Sequence, residues 1–495
     1  MELLDGYMTN LKSNGTFLSS PEPEAVIEAP TSLLWALFLK SHLLMKSGRL
    51  IEALEVIDEC LIHTPTALDM HIKKARILRK LGDPLSAAEV VVHCRTLDLQ
   101  DRYLNNKATK YLLKADNVEK AMETIAMFTK HDGDPQYTLF ELQCNWYELE
   151  LADSYFRQKK NGLALKNYFA IKKHFACYFE DQVDFHGYCM RKTTLRAYLD
   201  MLNMTDVIYA HQFFQRSMRG VVRIYLSILD APAVETTGDE GVDLSHLSPA
   251  ERKKEKARLR KMKKKESDAV EARLRASEDD LRDKKKDPKG DSKFVAPKDD
   301  DPRGEKLLAL DPLEEAARWC HLVQRSSGCD VESHALIADV MLRRNKVISS
   351  LKSIIAGLTI APKHPLLTLL LVKFAKKFIN EFGDVSLDEL PLTNRIVGTE
   401  LISLLGGSRD LTQFVNSFAE DARSKSLMHR NSAAKCLVIL DNTSADLAAR
   451  AVALLVDDAI WDGPGVDIST VMETYRVFLH PSHKICCCFL IPFLH

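Results

Sequence analysis

From Leu33 onward, apolar residues recur at the three- and four-residue steps of amphipathic helices, and a longer period is laid over the short one. Small residues stand at Ser41, Ala75 and Thr109, 34 apart. Ala53, Ala87 and Ala121 keep the same step, as do Gly48, Gly82 and Asp116, then Ile57, Val91 and Ile125, then Cys60, Cys94 and Phe128; Pro65 closes the first unit. Small residues let the two helices of a hairpin approach closely, Gly or Asp serves the turn between them, and larger apolar residues fill the seam. Ordinary amphipathic helices with accidental spacing give no reason for five aligned columns over three units.

This is the tetratricopeptide pattern. A fourth unit reads Ala152, Tyr155, Ala164, Tyr168 and Ile171; it keeps the twelve-residue step between its small residues but begins 43 rather than 34 residues after the third, a slip assigned to an insertion containing His131–Pro135. A degenerate unit, Ala338, Met341, Asn345, Ile354 and Pro362, predicts that the superhelix resumes in the C-terminal half. Between them, 185–230 is predicted to be helical, with an apolar stripe through Tyr188, Leu195, Tyr198 and Leu202. The fold class is therefore all-α, a tetratricopeptide-type superhelix of helical hairpins interrupted by a charged helix and linker. Its expected parts are an irregular segment at 1–32, an α-solenoid at 33–230, a charged basic helix and disordered linker at 231–305, helical repeats at 306–478 and an atypical tail at 479–495.

Composition changes the picture locally. Formal net charge is −1, so no global field favours nucleic acid or membrane. From Pro249 to Arg303, however, 20 Lys/Arg and 14 Asp/Glu fall within 55 residues with almost nothing apolar, and such a segment buries no core. Ser248 before Pro249 suits a helix N-cap, which predicts a solvated basic helix followed by a linker. The last seventeen residues exchange the charged alphabet for Cys486, Cys487, Cys488 and a short apolar run broken by Pro492; this reads as a disordered or aberrant end, palmitoylation being the alternative. No apolar run reaches the length of a membrane span. The other cysteines are scattered without C-x-x-C pairs, the usage of reduced, buried thiols rather than of a zinc site.

Catalytic motifs are missing. Phosphate loops, the dinucleotide fingerprint, the zinc-protease helix and the nucleophile elbow do not occur. Two stretches, Arg79–Pro84 and Arg325–Asp330, approach the acyl-CoA pyrophosphate loop, but both lack its final small residue. His42 and His186 read as packed or surface helix residues.

Several blocks resemble one family: TSLLWALFL, the repeats with IHTPTALD, LDLQDRYLNNKATKYLLKAD, EDQVDFHGYCMRKTTLRAYLDML, the basic helix, and DDDPRGEKLLALDPLEEA. In order and spacing over roughly 33–478 they look like the auxiliary, large subunit of the N-terminal acetyltransferase A complex. The resemblance implies a non-catalytic scaffold that wraps a small GNAT-fold acetyltransferase, reshapes its active site for small N-terminal residues and anchors it to the ribosome in the cytoplasm. It also implies further repeats before the match, so the chain reads as a partial form lacking the N-terminal repeats.

Three sets of candidate residues follow. Groove positions on the first helices of the units are Trp35, Phe38, His42, Met45, Ile72 and Tyr103, the seat of the catalytic subunit. Arg76, Arg79, Lys80, Lys107, Lys110 and Lys114 form a basic end with few acids between them; the resemblance implies inositol hexakisphosphate at the subunit interface there, and no cofactor intrinsic to the chain. Lys253, Lys254, Lys256, Arg258, Arg260, Lys261, Lys263, Lys264 and Lys265 are candidates for ribosomal RNA, which binds such a helix through phosphate neutralisation, with a nuclear import signal as the rival use. No metal, membrane or DNA partner is expected. Two other readings stand beside this one. A peptide-binding co-chaperone adaptor needs Lys and Asn where this chain has Phe38 and His42, and an RNA-binding repeat protein has only the basic helix in its favour.

Overall fold

A computed structural model describes residues 1–18, 27–129, 134–192, 194–231, 299–326, 328–383, 385–407, 409–441 and 444–456, with 471 and 474. Two units are delimited: one of 1–131, 135–226 and 299 onward, the other of 132–134 and 227–298, and nearly all described residues belong to the first. Among the described residues every regular element is a helix.

The first unit pairs α2 (Pro30–Lys46) with α3 (Leu50–His63), the second α4 (Leu68–Lys80) with α5 (Pro84–Leu97), the third α6 (Arg102–Lys114) with α7 (Val118–Ala126). The 34-residue columns are the reason. Ser41, Ala75 and Thr109 are wholly buried, as are Ala53, Ala87 and Ala121, so paired helices meet across side chains too small to hold them apart. The buried hydroxyl of Ser41 donates to the carbonyl of Ala53 (2.8 Å) and is satisfied within the seam. Gly48, Gly82 and Asp116 all adopt left-handed backbone, with φ of +85°, +88° and +59°. Asp116 bears that conformation because its carboxylate accepts from Ser154 Oγ (2.8 Å) and from the Arg157 guanidinium of the next unit. Asp83, Asp101 and Asn117 cap the N-termini of α5, α6 and α7.

Residues 1–32 are not irregular throughout. Glu2–Ser13 form α1, whose Met8 and Leu11 are buried against Leu34, Leu37 and Ile57. After the third unit, α8 (Pro135–Glu141) fills the predicted insertion; α9 (Asn145–Arg157) and α10 (Asn161–Lys192) then form the fourth hairpin, with Lys159 left-handed (φ +63°) at its turn. The helical reading of 185–230 needs correction in one respect. α10 ends at Lys192, α11 (Leu195–Asp206) is a separate helix, and Leu195 is 58% exposed, so the stripe through it is not one buried face. α12 (Gln212–Asp230) packs on α10 through Gly220, where a Cβ would stand 2.2 Å from the Tyr168 ring.

Beyond 299 come α13 (Glu305–Leu308), α14 (Pro312–Gln324), α15 (Val331–Arg343), α16 (Val347–Ile360), α17 (Pro365–Phe382), α18 (Leu392–Leu404), α19 (Leu411–Arg423), α20 (Leu427–Leu440) and α21 (Ala445–Val456). α15 and α16 repeat the first hairpin in detail: Asn345 is left-handed (φ +58°) at the turn, and Ser350 Oγ donates to the Ala338 carbonyl (2.9 Å) across the same twelve-residue step. This hairpin stands at the degenerate unit, Ala338 to Pro362. The basic helix and the tail at 479–495 lie outside the described residues.

Candidate partner-binding site

α2, α4 and α6 lie side by side as the first helices of their units, and their shared face carries the candidate residues. Trp35 is 52% exposed and meets the half-buried Phe38 edge to face, with ring centroids 5.6 Å apart. An exposed tryptophan braced by a second ring is the type of side chain that anchors interfaces. Tyr103 is exposed on α6, with Lys107 Nζ 5.0 Å from its ring centre. Two groove assignments fail. Met45 is buried beside Met8, Leu44 and Met70, and Ile72 packs on Cys94 and Leu104; both belong to the core. Ten residues at about 100° each put Met45 about 80° round the helix from Trp35.

The basic strip is real but not uniform. Arg76, Arg79, Lys80 and Lys107 have no ion-pair partner among the described residues. Lys110 and Lys114 do have one, which corrects the expectation of few acids: Glu150 of α9, wholly enclosed, sits 3.3 Å from Lys110 Nζ, 3.1 Å from Lys114 Nζ and 3.2 Å from Arg216 Nη1 of α12. Burial alone would push the Glu150 carboxyl up, but the charges of Arg216, Lys114 and Lys110 outweigh it and hold it at about 2. Arg216 also pairs with Asp153, and Asp153 accepts from the buried Tyr168 hydroxyl. The Lys110 and Lys114 end of the strip is thus tied to α9 and α12.

Sequence reasoning missed Glu150 and Arg216, and it missed Lys73, which is buried on α4 against α2. One signal was available. His42, Arg76 and Lys110 are 34 apart, as are Lys46, Lys80 and Lys114, and so are Lys73 and Lys107. The groove therefore carries the repeat period in its charges as the seam does in its small residues. No group of His, Cys, Asp and Glu able to hold a metal occurs among the described residues, and no described helix is long and apolar enough to cross a membrane.

A stack of helical hairpins whose first helices carry exposed aromatic and cationic side chains places the chain in the helical-repeat class. The family profile described as N-terminal acetyltransferase A, auxiliary subunit, matches residues 1–357, and the chain belongs to that family. It is 34% identical over 442 residues to the N-terminal acetyltransferase A complex auxiliary subunit NAA15 of Arabidopsis thaliana, a match covering 89% of this chain and 48% of the relative. To the human NatA auxiliary subunit, N-alpha-acetyltransferase 16, it is 29% identical over 487 residues, covering 98% of this chain and 55% of that one. The chain spans about half the length of the curated relatives it matches. Among solved structures, Naa15/Naa10 bound to HypK-THB is similar with a TM-score of 0.58 and 26% identity, over 81% of this chain and 49% of that one.

Proposed function

We propose that this chain is a non-catalytic scaffold that seats a GNAT-fold acetyltransferase subunit in the groove of α2, α4 and α6 and holds it at the ribosome, in the cytoplasm, for acetylation of nascent N-termini. The observation that carries the reading is the set of side chains on these helices: Trp35 and Tyr103 exposed, with Phe38 half-buried against Trp35, beside cations that have no ion-pair partner among the described residues, in a chain of the auxiliary family. Replacing Trp35 and Phe38 together by alanine is expected to weaken capture of the co-expressed catalytic subunit by more than about tenfold, since buried aromatic anchors carry roughly 2 kcal/mol or more each. Capture unchanged in a variant with native circular dichroism would remove the groove from the reading.

Arg76, Arg79, Lys80 and Lys107 fit a multiply charged anion, because they have no ion-pair partner among the described residues; with Lys110 and Lys114 they would hold inositol hexakisphosphate against the seated subunit. The basic segment 252–265, expected from the sequence to be helical, is the proposed ribosome contact. It offers ten Lys/Arg against one acid, Glu255, and phosphate neutralisation needs no sequence readout. Charge reversal at Lys253, Lys254, Lys261, Lys263 and Lys264 is expected to abolish ribosome co-sedimentation at low salt while subunit capture persists; sedimentation unchanged across a salt series would leave the helix to an import signal or a linker.

A further inference from the structure

Among the described residues, no carboxylate forms an ion pair with the Lys73 ammonium. The residue is 5% exposed, its Nζ donates to Nδ1 of His42 at 2.6 Å, and the same nitrogen lies 4.6 Å from the centre of the Phe38 ring. A ring nitrogen that accepts belongs to a neutral imidazole. Burial, then the charges of Lys73, Lys46 and Arg76, hold the His42 pKa below its ordinary value.

The surroundings of Lys73 are themselves cationic. Arg76 and Lys46 act on it as like charges and Asp69, four residues back on α4, as an opposing one, while no carboxylate stands within ion-pair distance of Lys73 among the described residues. Enclosing an ammonium without a counter-ion is costly, and two further cations add to the cost. On the Phe38 ring that faces Lys73 lies Trp35, which leaves half its surface to solvent.

We propose that Lys73 and Arg76, with His42 orienting the ammonium, form a receptor for a single carboxylate of a polypeptide partner, whose neighbouring apolar side chain lies on Trp35 and Phe38. A carboxylate presents two acceptor oxygens, one for the Lys73 ammonium and one for the Arg76 guanidinium, and charge-assisted bonds of this kind are the strong ones. The aromatic flank selects a peptide over a free phosphate, which has no apolar part to place there. This rests on the groove being the seat of the catalytic subunit and names what that subunit brings to it: an acidic residue, or the C-terminal carboxylate, beside an apolar residue.

The test uses the full chain with the catalytic subunit of the same source, Kd being measured by biolayer interferometry and the free chain followed by thermal melts. Lys73→Met keeps the stem and removes the charge. Kd is expected to rise by more than about tenfold, the free chain to melt at the same or a higher temperature, and Lys73→Arg to keep most of the affinity. Weakened capture by the Trp35/Phe38 double variant together with an unchanged Kd for Lys73→Met would overturn the receptor and leave the groove standing. If neither variant altered Kd, the groove reading and the receptor would both fall. A lowered melting temperature for Lys73→Met would make the lysine a structural group, and displacement of the subunit by inositol hexakisphosphate, abolished by Lys73→Met, would make the anion a phosphate; either result refutes the carboxylate.

Discussion

Replacing Glu150 by alanine is expected to lower stability by about 3–5 kcal/mol, the loss that follows when one partner of a buried ion cluster is removed and the others are left enclosed. Lys114 Nζ and Arg216 Nη1 stand within 3.2 Å of this carboxylate. Glu150→Gln keeps shape and one acceptor, so its expected loss is smaller. Acid should reproduce part of the effect. The folded carboxyl is held at about 2 against an ordinary 4.5, a depressed value, so its contribution is complete above the unfolded pKa and disappears as pH falls from about 4.5 through 2. At about 1.4 kcal/mol per pH unit that contribution is about 3 kcal/mol. Urea titrations at pH 7 and along a series from about pH 5 to 2 check both parts. An alanine variant as stable as the parent, or one with the parent's full acid sensitivity, would show that the three cations do not depend on Glu150.

The N-terminal repeats were legible because one physical demand recurs at one spacing. Where the helices of the first three hairpins touch, the column holds Ser, Ala or Thr; where those hairpins turn with positive φ it holds Gly or Asp, although the fourth turns at Lys159. α1 escaped notice because twelve residues outside the 34-residue register give no column to compare, although Leu4, Met8 and Leu11 have helical spacing. Met45 and Ile72 were misplaced because a period fixes which positions are equivalent, not which way each one faces. Glu150 and Arg216 lie 40 and 106 residues from Lys110, and a single sequence states nothing about pairs that far apart. The cations of the groove could be read, whereas the acid that holds two of them could not.

The D-P-x-G-E-K-L block, which carries much of the family resemblance, does structural rather than chemical work, and its glycine is expected to be intolerant of any side chain. Asp301 accepts from the backbone N–H groups of Glu305 (2.8 Å) and Lys306 (3.1 Å) and so starts α13. Tyr225 of α12 donates to the Leu307 carbonyl (3.0 Å), and between these two anchors Gly304 lies directly on Gly162 at the start of α10. A Cβ on Gly304 would stand 2.1 Å from the Gly162 carbonyl oxygen, and one on Gly162 would stand 2.3 Å from the Arg303 carbonyl oxygen. No rotamer change relieves a clash of backbone with Cβ. Gly304 also has φ +71°, which costs an L-residue a further 1–2 kcal/mol or so. Gly304→Ala should therefore cost more than about 3 kcal/mol, and Gly162→Ala, free of the dihedral penalty, about 1–2 kcal/mol less than that. The melting temperature of each variant gives the order, and hydrogen exchange gives the place: protection at Glu305–Leu308 and along the first turns of α10 should fall together in both variants. A Gly304→Ala chain with parental melting and parental protection would mean that this junction does not hold α13 against α10.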